Sequence, residues 1–370
     1  MSLIIFILLL AALIVVHELG HFSVAKFFKI KVEEFGIGFP PRLLKIKKGE
    51  TTYSLNLLFF GGFVKIFGEN NEVGSGAAHN PRLPAQAGSF AAKPRAVQAA
   101  VVAAGVVMNV LFAWLILSAG YMVGLPASSG HTGVGIVEHA KVVVVGLLPE
   151  SPAVKSGVLA EDVIARVSTP TASTQEGANA EVLRTFIKEH QEESLIISVM
   201  RSEEEKTFVM RPTEGLVEGR KALGVELDDI GVLKLPLHLA LVEGATLTYR
   251  MTVSTAGGLL SFFSQVGRGV ADFSSVAGPI GIAGIGAKAV DHGFTAAIIL
   301  TALISINLAI INLLPIPGLD GGRLLIIAIE SVIRRPVPER LSVFASILGF
   351  MFLIGIMLLV SYNDIARLVG

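Results

Sequence analysis

Apolar runs of unusual length divide the chain. Residues 3–26, 96–124, 294–314 and 342–360 are almost free of charge over stretches near the ~20 residues that cross a bilayer. Each predicts a membrane-spanning helix, since only internal hydrogen bonding satisfies a backbone in hydrocarbon. Leu235–Val266 is also apolar, but Glu243, Arg250 and several glycines interrupt it, and a fifth span would reverse the segments after it. It therefore reads as helices lying on the membrane surface within a 215–293 region, with Ala277–Ala283 as a turn into the third span. The flanking charges orient the spans. Lys26, Lys29 and Lys31 follow the first, Lys93 and Arg95 precede the second, and Arg334, Arg335 and Arg340 separate the third from the fourth. Positive residues favour the cytoplasmic side, so both termini and residues 125–293 are expected on the other side. A cleaved signal peptide wants positive charge before its apolar run, and only Met1-Ser2 precede this one.

Between the spans the period changes. Residues 32–68, within a 27–95 region, alternate strand-forming residues with Gly and Pro and predict β-hairpins dipping in at membrane depth. Residues 69–92, rich in Gly, Ala, Asn and Pro, read as a linker. Residues 131–214 have the composition of a soluble α+β domain. Its expected strands are Val142–Leu148, Asp162–Val167, Leu195–Met200 and Thr207–Met210, with a helix over Ala180–His190 and a polar loop over Ser168–Asn179.

Composition narrows the class. Of 370 residues, 52% are hydrophobic and 16% charged, and the mean hydropathy is +0.69, so the expected fold is a polytopic α-helical membrane protein with four transmembrane helices. A formal net charge of zero gives no electrostatic footprint for nucleic acid. The chain has no cysteine, so disulfides, thiolate ligands and thiol nucleophiles are excluded.

Chemistry enters at Val15–Phe22, where His17, Glu18 and His21 interrupt the first apolar run. On a helix, residues four apart share a face, so two neutral imidazoles can reach one metal ion with a carboxylate beside them. A third protein ligand and a water would complete such a zinc site, with Glu18 as the base for the water. Ionisable groups in hydrocarbon are expensive without a function. At the end of the third span, Asn312-Leu-Leu-Pro-Ile-Pro-Gly-Leu-Asp320-Gly-Gly breaks the helix with two prolines and reaches a depth similar to that of His17 and His21. Asp320 is the natural third ligand there, and Asn312 is a candidate for binding substrate backbone. In the second span Gly105 and Asn109 suit close helix packing, with Asn109 a further site candidate. The strand-like Tyr53–Val64, including Tyr53, Asn56, Gly61 and Gly62, offers an edge on which an unwound substrate could pair.

Two resemblances follow from these residues. Leu148–Ile164 resembles the Pro-x-Ser-Pro-Ala-x-x-x-Gly-Leu-x-x-Gly-Asp-x-Ile run of bacterial PDZ domains, with Glu161 where that family usually has Gly. His17-Glu-Leu-Gly-His21, Phe35–Pro41, Gly61–Lys65, Ser89–Pro94 and Asn312–Gly321 resemble the site-2 protease family of intramembrane zinc metalloproteases. The PDZ-like insert makes the regulator of sigma-E proteases the nearest group. The resemblance implies Zn²⁺ on His17, His21 and Asp320, Glu18 as catalytic base, and location in a bacterial inner membrane. It also implies regulated proteolysis of single-pass membrane proteins such as anti-sigma factors or signal-peptide remnants, with the PDZ-like domain gating access or binding peptide. Val106 and Phe59 stand where the family has proline, and one PDZ-like domain stands where its best-known members have two. A membrane metal or proton transporter and an inactive PDZ scaffold are the other readings. The transporter needs further embedded acids, and spans two and four offer none.

Overall fold

The computed structural model describes residues 1–69, 88–174, 177–201, 204–217, 220–270, 277–335 and 337–369. Most of the expected 69–92 linker, and part of the Ser168–Asn179 loop, lie outside the described residues. The chain forms two compact units, one from Met1–Gly120 with Gly244–Gly370 and the other from Tyr121–Glu243.

In the first unit, four helices among the described residues are long and apolar enough to cross a membrane. They are α1 (Ser2–Phe27), α2 (Arg95–Val123), which runs on into the other unit, α7 (Phe294–Leu313), and α9 (Glu339–Val369), whose apolar part is Arg340–Arg367. Between α1 and α2 the chain makes one long ribbon, β1 (Val32–Lys48) and β2 (Thr51–Ile66), in place of several hairpins. The ribbon bends back on itself. Residues 34–37 pair with Lys65 to Gly62 on one side and with Thr52 to Leu55 on the other, while Arg42–Lys48 pair with Asn56–Thr51. Tyr53 and Asn56 are thus interior to the sheet, and the open edge is narrower than Tyr53–Val64. Glycines make the bend possible: the Phe63 ring occupies the place of a Gly36 side chain and the Phe39 ring that of Gly61. Ala25, Ile30, Val32, Ile66, Phe90, Val101, Val102 and Ile327 form a buried cluster that fixes the ends of α1 and α2 against the ribbon.

Downstream, α5 (Leu237–Gly267) is a single helix that starts in the other unit. The expected turn at Ala277–Ala283 is instead the start of α6 (Pro279–Asp291). Pro279 opens that helix, and Asp364 of α9 accepts hydrogen bonds from the Gly278 and Gly281 N–H groups at 3.0 and 2.8 Å. A cap supplied from more than 80 residues away leaves no local signal. After α7 the chain breaks at Leu314–Leu319 and resumes as α8 (Asp320–Ile333). Gly321 and Gly322 lie so close to the carbonyls of Leu313, Leu314 and Ile316 that a Cβ at either would strike backbone.

The second unit holds a six-stranded antiparallel sheet. Its order is β3 (Leu125–Ser128), β10 (Val225–Leu233), β4 (Val137–Leu147), β5 (Val163–Ser168), β6 (Leu195–Arg201) and β7 (Glu204–Met210). The helices α3 (Pro152–Ser156) and α4 (Ala180–Glu189) and a small pair, β8 (Thr213–Val217) and β9 (Arg220–Ala222), complete it. The unit is larger than the expected 131–214, because β3 and β10 add strands at both ends of the segment. Asp228 and Asp229 break the apolar alternation of β10, and its pairing with β4 is long-range. Gly157 and Glu161, the two positions at which the PDZ pattern has glycine, are both left-handed, with φ of +90° and +72°.

Candidate metal centre

Four residues apart on α1, His17 and His21 face α2, and the approach is close because the facing residue is Gly105. A Cβ there would lie 2.6 Å from His17 Cε1 and 2.7 Å from His21 Cε1. Gly20 plays the same part on α1, where a Cβ would sit 2.8 Å from the Ala104 carbonyl carbon. The Pro315–Gly318 break brings Asp320, the first residue of α8, to the same place.

Three atoms converge. His17 Nε2 and His21 Nε2 are 3.2 Å apart, and Asp320 Oδ2 lies 3.1 Å from the first and 3.3 Å from the second. His21 Nδ1 is 2.9 Å from the Val101 carbonyl oxygen, which can only accept. That nitrogen therefore carries the proton, and a neutral His21 presents a lone pair at Nε2. Three lone pairs aimed at one point are stable together around a cation. Ligands at about 2.0–2.1 Å from a tetrahedral zinc are spaced roughly 3.3–3.4 Å from one another, so the donor triangle fits that ion. Among the described residues this is the one group of three or more such side chains placed to hold a metal.

Beside the triangle is a cavity of about 260 Å³ lined by Ile14, His17, Glu18, Asn109, Leu308, Asn312, Leu319 and Asp320. Its wall thus carries a carboxylate, Glu18, outside the donor set. Next to Glu18 runs the Gly61–Val64 segment of β2. A Cβ on Gly62 would lie 3.2 Å from Glu18 Cγ, and the far side of this segment has no strand partner among the described residues.

The remaining sequence candidates separate. Asn312 is half-buried and lines the cavity. Asn109 is fully buried, with its amide 3.4 Å from His17 Nδ1. Asn56 is fully buried too and donates to the Gly38 carbonyl at 2.9 Å, which holds the bend of the ribbon. Tyr53 packs edge-on to Phe22. Neither Asn56 nor Tyr53 faces the cavity, which corrects the expectation that they offer a binding edge.

One pair carried no motif in the sequence. Arg323, one turn after Asp320, reaches Glu69 with Nε 3.6 Å from Oε1 and stacks over the Phe90 ring. Burial pushes the Glu69 carboxyl above its usual range, and Arg323 pulls it back only in part. Only the spacing of Arg323 from Asp320 on one helix face could have flagged it.

The comparisons with known proteins point the same way. The model of peptidase family M50 matches residues 5–356. A candidate zinc metalloprotease of Clostridium perfringens is 31% identical over 366 residues, covering 97% of each chain. One from Nostoc is 33% identical over 361 residues, covering 96% of this chain and 93% of its own. The zinc metalloprotease RasP of Bacillus licheniformis is 28% identical over 440 residues, covering 98% of each.

Proposed function

The chain belongs to peptidase family M50 and is a zinc metalloprotease, and on that premise we propose that it hydrolyses peptide bonds inside the transmembrane segments of single-pass membrane proteins. The observation that carries the reading is the triangle of His17, His21 and Asp320 with Glu18 on the wall of the same cavity, where His17, Glu18 and His21 sit on a helix of membrane-spanning length and Asp320 follows the break after another.

His17, His21 and Asp320 would hold the zinc, which when bound supplies a Lewis acid to the attacking water and to the scissile carbonyl. Glu18 takes the water's proton on its carboxylate and gives it to the departing amide nitrogen, so the carboxylate is regenerated each turnover. Asn312, on the cavity wall, is placed to donate to substrate backbone. A helical substrate has its carbonyls engaged and must open before it can be cut. The Gly61–Val64 edge offers the opened backbone replacement hydrogen bonds beside Glu18.

By the positive-inside rule Lys26, Lys29 and Lys31 lie at the cytoplasmic face of a bacterial inner membrane, with residues 125–293 and both termini on the opposite side. Anti-sigma factors and signal-peptide remnants are the substrates this reading favours. The Leu148–Ile164 stretch makes the 121–243 unit a PDZ-like module that binds peptide or excludes bulky substrates.

The test is cleavage of a panel of single-span substrates by the purified protein, run beside Glu18→Gln with zinc measured on both. Cleavage by the parent alone, with about one zinc retained in each, supports the reading. A preparation in which neither protein holds metal overturns it.

A further inference from the structure

His21 has a fixed proton on Nδ1, because Val101 offers it a carbonyl. Among the described residues no carbonyl plays that role for His17. The group facing its Nδ1 is the Asn109 amide, at 3.4 Å with the nitrogen end forward. That orientation does not satisfy the chemistry. If His17 Nε2 points its lone pair into the donor triangle, Nδ1 of a neutral ring carries hydrogen and needs an acceptor. Asn109 Oδ1, meanwhile, is buried with no hydrogen-bond partner among the described residues. An orphaned acceptor and an orphaned donor thus lie on two facing side chains. Exchanging the oxygen and nitrogen of the carboxamide satisfies both, and those two atoms are distinguished only by their hydrogen bonds.

We propose that Asn109 is the positioning residue for His17, accepting from Nδ1–H through Oδ1 and so fixing the tautomer and the angle of that imidazole toward the metal. The inference rests on the zinc reading of the site. Its geometry is consistent with α2 as the element that serves both rings. Val101 holds His21, Asn109 lies eight residues or about two turns further along the same helix, and Gly105 between them lets both imidazoles approach. Asn109 is itself held, since Ser305 Oγ on α7 donates to its main-chain carbonyl at 2.8 Å. Asn109 borders the cavity, but it is fully buried and its amide faces His17, which suits it to this task.

The test is zinc affinity of the full-length protein in detergent, by competition with a chelator. Asn109→Leu keeps the shape and removes the acceptor, and should weaken zinc 10–100-fold, the usual effect of losing such a partner. Asn109→Asp restores an acceptor and should recover affinity to within about threefold of the parent. With Co²⁺ in place of zinc, the ligand-field spectrum should shift for the leucine variant and return for the aspartate variant. If Asn109→Leu does not fold, Asn109→Ala is read in its stead. Parent-like affinity and spectrum in the leucine or alanine variant, or an aspartate variant as weak as leucine, overturns the proposal. His17→Ala runs alongside. Zinc retained undiminished by that variant means the metal reading itself has failed, an outcome distinct from an inert Asn109.

Discussion

At the scale of single residues, small size does as much for the site as ionisable chemistry. Gly105 leaves room for two imidazoles, and its replacement tests whether that room matters. A Cβ there falls well inside contact distance of both rings, so Gly105→Ala should lower zinc affinity at least tenfold while the helices still form. Zinc content per protein and far-ultraviolet circular dichroism would check the two halves of that statement. The metal-site residues were legible in the sequence because their signal is local: His17, Glu18 and His21 sit in one apolar helix, and Asp320 follows a double-proline break. The Asn109 contact with His17 was not, since an amide 92 positions away looks the same whether it packs, binds substrate or orients a ring.

At the scale of elements, the helix break before α8 and the bent ribbon are what bring the groups together. Gly322 packs against the Ile316 carbonyl with no room for a side chain. Gly322→Ala should therefore move Asp320 out of the triangle and abolish both zinc binding and cleavage, measured together on one preparation. The ribbon gives the opposite pattern. The nearest neighbours of a Cβ on Gly62 are Glu18, Gly36 and Ile14, none of them a donor, so Gly62→Val should retain zinc and cut the cleavage rate more than tenfold by crowding the edge where substrate would lie. Strand character in residues 32–66 could be read from composition, whereas the two-sided pairing of residues 34–37 could not, because it depends on where the chain turns back. The strand over Val225–Leu233 was hidden for a related reason: the sheet it joins supplies the partners that its own acidic residues seem to forbid.

At the scale of the whole molecule, two units carry separate stabilising devices. In the second, burial pushes the Asp162 carboxyl up, but paired 2.6 Å hydrogen bonds from Arg201 and one from the Leu159 N–H outweigh it and hold the group below its ordinary value. A carboxyl depressed in the folded state adds stability above its unfolded value, and that stability is lost as pH falls through the folded one. Unit two should therefore loosen below about pH 4, where carboxylates begin to protonate. Asp162→Ala should cost about 1.5–3 kcal/mol at neutral pH and remove most of this acid sensitivity. Hydrogen exchange of β5 and β6 in the intact protein, corrected for intrinsic rates, would measure both. The metal centre belongs to the other unit, and its donors come from the first and last parts of the chain, His17 and His21 against Asp320. At roughly 5–20 residues per second of synthesis, the ~300 residues between them take on the order of 15–60 s to appear. A nascent or truncated chain has the His17–His21 helix but an incomplete donor set, so the growing chain is disarmed and gains its cutting power only once the segment carrying Asp320 is inserted.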